Sequence, residues 1–147
     1  MSKAIENLRA AQQRAFSIRP EVGGFPVLAE VLRQAGVHLN AWFLPAAESL
    51  YLTDDGAVVQ QGTPLATGLV DMPAFDEAAV IAAIRTDQAG ESTFPEFLDA
   101  AWKAGVLRYV ANFDARTVTY FGYDGTNYVE SYPAVEIDRA HEDAPAT

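Results

Sequence analysis

The chain of 147 residues contains no cysteine. That one absence excludes a disulfide framework, thiolate zinc sites and a thiol nucleophile. Histidine is almost missing as well: only His38 and His141 occur, with no HExxH or paired spacing that would hold a metal. Basic residues are scarce. Ten Lys and Arg face 20 Asp and Glu, for a formal charge of −10. The basic residues form no stripe, and a negative body repels phosphate backbones and anionic lipid, so neither nucleic acid nor a membrane is an expected partner. Solubility is the simplest use of this acidity. No apolar run approaches the ~20 residues needed to span a bilayer. The opening MSKAIENLRAAQQRAF lacks the unbroken apolar core of a signal peptide, so the cytoplasm is the expected location.

What is present is an ordinary globular composition, half hydrophobic and one fifth charged. The length suits one domain able to bury a core without staples.

An internal repeat organises it. At an offset of 69 residues, Phe25-Pro26, Ala35-Gly36-Val37, Ala46, Tyr51, Asp55-Gly56 and Pro64 recur as Phe94-Pro95, Ala104-Gly105-Val106, Ala115, Tyr120, Asp124-Gly125 and Pro133. Ten of the 41 ungapped pairs from Phe25 to Leu65 are identical, where random pairing gives about two or three. The matched residues punctuate structure. Phe-Pro suits a helix entry, where proline's missing N–H costs nothing. Ala-Gly-Val suits a helix exit with glycine in the left-handed region. Asp-Gly suits a hairpin turn.

The periodicity predicts helices at 3–16 and Pro26–Ala35, then strands at Val37–Leu44, Ser49–Thr53 and Ala57–Gln61. The second half predicts helices at 75–87 and Pro95–Ala104, then strands at Leu107–Phe113, Thr117–Gly122 and Asn127–Ser131. The expected fold is α+β: two ααβββ units (1–65 and 70–137) in one domain, related by a pseudo-twofold axis. Their antiparallel meanders form one sheet or two facing sheets, covered by helices. Each unit, about 70 residues with few large apolar side chains, is expected to be marginal alone. Residues 138–147 read as an acidic, frayed tail.

The series Phe94-Pro95, Ala104-Gly105-Val106, Tyr109, Thr117-Val118-Thr119-Tyr120, Asp124-Gly125 and Tyr132-Pro133 resembles the YbcV-like bacterial family of unknown function. Some of its members carry the label "phage envelope protein". The resemblance covers nearly the whole chain and implies no established activity or catalytic set.

No catalytic or cofactor motif rises above background, and neither a metal nor a cofactor is expected. Asp54-Asp55-Gly56 opens like a calcium loop, but its twelfth residue is Leu65 rather than a closing glutamate. His141, among Asp138, Glu142 and Asp143, reads as part of a solvated tail. None of the five serines lies in Gly-x-Ser-x-Gly. Neither GxGxxG nor a phosphate-binding loop occurs.

Two function classes follow. The leading one is a non-catalytic module that binds a small molecule or a protein, a second copy included, through an aromatic sheet surface. Trp42, Tyr51, Tyr109 and Tyr120 would line a groove there, with Arg108 reaching an anionic ligand. Ordinary core and cross-strand packing is the favoured explanation of these aromatics. The alternative class is a small hydrolase or isomerase using His38 with a nearby carboxylate. A pocket holding that pair would favour it.

Overall fold

A computed structural model describes residues 2–137. The acidic tail expected at 138–147, His141 included, lies outside them. The first helix, α1 (Lys3–Ile18), begins where Ser2 accepts the Ile5 amide, and α2 (Phe25–Gln34) begins at the first Phe-Pro. In the second half α3 (Glu77–Gln88) is capped by Asp76. The helix α4 (Phe94–Lys103) opens with a capping box in which Thr93 and Glu96 satisfy each other's amides. Both prolines sit in a first helical turn, where no intrahelical N–H is missed.

Gly36 and Gly105 end α2 and α4 with φ of 89° and 90°, a region that L-residues with a Cβ avoid. Each exit feeds a three-stranded meander: β1 (Val37–Phe43), β2 (Glu48–Thr53) and β3 (Gly56–Gln61), then β4 (Arg108–Asn112), β5 (Thr117–Phe121) and β6 (Asn127–Ser131). The α+β duplication expected from the sequence is therefore the fold.

The two meanders make one antiparallel sheet, in the order β3-β2-β1-β4-β5-β6. The seam is the β1–β4 pair, in which Ala41 lies opposite Val110. Those two residues are also equivalent in the repeat, 69 apart, so the pseudo-twofold axis passes between them. The turns obey the same symmetry. Ala47 and Arg116, again 69 apart, both take positive φ, at 50° and 57°.

The symmetry slips by one residue beyond the second hairpin of each unit. Tyr51 pairs with Val58, but its counterpart Tyr120 pairs with Tyr128, an offset of 70. Likewise Gly62 donates to the Ala47 carbonyl, and Tyr132 to that of Arg116. The ungapped alignment of the sequence is corrected accordingly: the β5–β6 turn holds one extra residue, and Pro64 and Pro133 are not structural counterparts.

All four helices lie on one face of the sheet. Strand alternation sends Tyr51, Tyr109, Ala111, Val118 and Tyr120 into the layer between helices and sheet, where each is buried. The helices also bridge the halves. Phe94 of α4 packs edge-on against Trp42 of β1, at 5.1 Å between centroids, and Phe25 of α2 packs edge-on against Tyr132 beyond β6, at 5.2 Å. These crossing contacts and the shared sheet give the two units one core.

Candidate functional site

Of the five residues singled out as a binding surface, the structure brings four together and sets the fifth apart. Trp42 stacks on Tyr109 at 6.3 Å, and Tyr109 meets Tyr120 at 5.5 Å. Tyr51 sits on the same helix-facing side, and all three tyrosines are buried. Burial pushes the Tyr109 and Tyr120 hydroxyls well above the usual phenol range, so both remain neutral at any physiological pH. This arrangement is packing between helices and sheet. Arg108 projects from the opposite face, so the expected groove with the tyrosines and Arg108 on one wall does not form.

Among the described residues that opposite face carries no helix. The strand register arranges its eighteen side chains in three rows that cross all six strands. One end row reads Gln61, Glu48, Phe43, Arg108, Phe121, Asn127. The middle row reads Val59, Leu50, Ala41, Val110, Thr119, Val129. The third reads Ala57, Leu52, Leu39, Asn112, Thr117, Ser131. None of the eighteen is buried. Val59 and Val129, on the two edge strands, are 62% and 51% exposed, and Phe43 and Leu52 are 44% and 40% exposed. Only two of the eighteen are charged, and their signs are opposite. The Arg108 guanidinium lies 3.9 Å from the centre of the Phe121 ring, a cation–π contact that leaves its N–H groups free for an acceptor. A depression of about 130 Å³ lies between Glu48 and Arg108, floored by Ala41, Phe43 and Leu50.

The sequence reading favoured the aromatic side of the strands. The missed signal was alternation. The strands hold a nearly charge-free second face, which one-sided sheets in water usually fill with polar residues.

His38 occupies a bulge in β1. Val37 pairs with Thr53 and Leu39 with Leu52, so His38 is the unpaired extra residue and its ring is aimed out of the ladder. Its Nε2 meets Asp54 Oδ1 at 2.6 Å and its Nδ1 meets Asp114 Oδ2 at 2.9 Å. Gly36 makes room for this: a Cβ there would stand 2.6 Å from Asp54 Oδ2. The hydrogen bonds to Asp54 and then Asp114 raise the His38 pKa above its ordinary value. A protonated ring donating from both nitrogens has no lone pair with which to accept a proton. The two carboxylates approach opposite sides of the ring, so the three groups do not converge on one point. Among the described residues no cluster of three or more His, Asp or Glu is arranged to hold a metal ion. The larger cleft, about 540 Å³, is lined by Glu30, Gln34, Val135, Glu136 and Ile137, and His38 is not among them.

Among the described residues no helix is long and apolar enough to cross a membrane. Fold and site together define an open-faced α+β protein: a pseudo-twofold six-stranded sheet, helices on one side and, on the other, a surface of ten apolar and eight polar side chains of which only two are charged.

Residues 13–131 match the family described as "Protein of unknown function (DUF1398)", and the chain belongs to that family. It is 56% identical over 136 residues to the uncharacterized protein Rv2012 of Mycobacterium tuberculosis and, with the same figures, to the uncharacterized protein Mb2035 of Mycobacterium bovis. The match covers 92% of this chain and 83% of each relative. The unknown-function character implied by the resemblance agrees with these names, and none of them mentions a phage envelope.

Proposed function

We propose that this chain is a non-catalytic module that binds a protein partner through the open face of its sheet. The observation that carries the reading is the eighteen-residue face with three crossing rows and only two charges. Strands about 4.8 Å apart and rows about 6.8 Å apart give it a footprint of roughly 550 Å². Ten of the eighteen side chains are apolar, roughly 300 Å² of that footprint, which is the size of the largest apolar patch on a typical monomer, and such patches are often functional. A protein suits it better than a small molecule. The depression on the face holds about 130 Å³, against the ~300–1,000 Å³ of typical small-ligand pockets. The hydrolase or isomerase alternative finds carboxylates beside His38, but both ring nitrogens are engaged and neither of the two clefts described above includes the ring.

The test is in-cell photo-crosslinking from a benzoylphenylalanine placed at Val59 or Thr119 on the open face, or at the exposed Arg9 on α1 as control. Protein adducts from the two open-face positions and not from position 9 support the reading. Equal labelling from all three, or none from the open face, overturns it.

A further inference from the structure

We infer that the partner is a second copy of this chain, packed open face to open face across a true twofold axis that runs parallel to the strands above β1. The inference rests on the binding reading above and names its occupant.

The first ground is charge. A chain of net charge −10 repels its own copies over most of its surface. The open face is where that repulsion is least, because its only two charges, Arg108 and Glu48, cancel. The second ground is the placement of those two charges. They lie in the same row, on β4 and β2, one strand to either side of Phe43. A twofold axis along β1 exchanges the two flanking strands. It sets Arg108 of one copy over the partner subunit's Glu48, and Glu48 over the partner subunit's Arg108. One self-complementary surface thus makes two ion pairs, as an isologous contact requires. Neither residue forms an ion pair within the described residues of its own chain.

The third ground is area. With the axis on β1, five of the six strands overlap. The two footprints then sum to about 900 Å², just below the ~1,000 Å² that stable interfaces clear and in the range of weak, reversible ones. Sheets stacked this way pack with their strands within about 30° of one another and their apolar rows interleaved. An interface of that size fits a dimer that forms in the micromolar range.

Sedimentation equilibrium of the purified chain tests this between about 1 and 300 µM. The wild type is expected to pass from monomer to dimer across that range. Arg108→Glu sets carboxylate against carboxylate and should weaken dimerisation at least tenfold. Glu48→Arg sets cation against cation with the same result. The double variant Arg108→Glu/Glu48→Arg restores both pairs in the opposite sense and should recover the wild-type constant to within about threefold. Both positions are exposed, and thermal melts of the monomers confirm that each variant folds. A wild type that stays monomeric at 300 µM overturns the inference, as does a dimer indifferent to Arg108→Glu or a double variant that fails to recover. If the purified chain is monomeric while crosslinks from positions 59 and 119 capture a different protein, the homodimer fails and the binding reading stands.

Discussion

Replacing Gly105 by alanine should cost far more stability than the same change at Gly36, although the two glycines are repeat counterparts with nearly equal φ, 90° and 89°. The conformational cost of a Cβ at positive φ is common to both, roughly 1–2 kcal/mol. The surroundings differ. At Gly36 the new Cβ meets Asp54 Oδ2 at 2.6 Å. That atom ends a side chain 69% exposed, which can swing into water and give up its bond to His38. At Gly105 the Cβ meets the Ala74 carbonyl oxygen at 2.3 Å, its carbon at 2.5 Å and the Phe75 Cα at 2.6 Å. All three are backbone, and the Asp76 amide two residues further on is tied to the Ala104 carbonyl at 2.8 Å. Relief requires moving the entry to α3, a change of the kind that costs about 2–3 kcal/mol more. Gly36→Ala should therefore lose about 1–2 kcal/mol, and Gly105→Ala about 4 kcal/mol. Urea titrations read as unfolding midpoints with unchanged m-values measure both losses. Equal losses would refute the reasoning, because they would leave the positive φ as the whole cost and the backbone contact at Gly105 as none of it.

Two further outcomes are expected. The hydrogen bonds to Asp54 and then Asp114 favour the imidazolium form of His38 and raise its folded pKa above the ordinary 6.5. The stability it contributes is fully present below pH 6.5 and lost as pH rises through the raised folded value. The wild type should lose more stability between pH 6 and pH 9 than His38→Gln, and an imidazole NMR midpoint at or below 6.5 would contradict the clamp. Phenylalanine on the two faces of the sheet should behave oppositely. Phe113→Ala, at a site 2% exposed, should cost about 3–5 kcal/mol in urea unfolding, whereas Phe43→Ala on the open face should cost under about 1 kcal/mol and weaken self-association instead.

Most of the element plan was legible in the sequence, because the residues that end and turn elements do so by local rules. Proline at the head of α2 and α4, glycine at their exits and Asp-Gly in the hairpins need no tertiary contact to be read. The long-range features were not legible. Pairing β1 with β4, rather than stacking two separate sheets, depends on edges that carry no sequence mark of their own partner. The positive φ shared by Ala47 and Arg116 is hidden because neither is glycine. Period-2 alternation separates the two faces of a strand but does not say which face receives the helices. Aromatic content pointed to Trp42, Tyr109 and Tyr120 as a surface, while large rings are also what best fills a helix–sheet interior. The two carboxylates at His38 come from turns 16 and 76 residues away along the chain, and a bulge that no local pattern announces turns the ring toward them.

The central seam, in which Ala41 faces Val110, has the geometry of an interface between two identical subunits, made once inside a single chain. Joining the halves by the segment between β3 and α3 replaces a concentration-dependent encounter with an intramolecular one, at an effective concentration of about millimolar or more. Dilution therefore cannot part them. A covalent pair is also released from the rule that both sides of a symmetric contact carry the same residues. Trp42 can face Tyr109, while their counterparts in the other unit are Ala111 and Asn40. In the same way the end row gains a cation at Arg108 where its counterpart, Leu39, has none. The pseudosymmetry that builds the sheet thus also frees its open face to become lopsided, with a direction along the strands that two identical units could not give it.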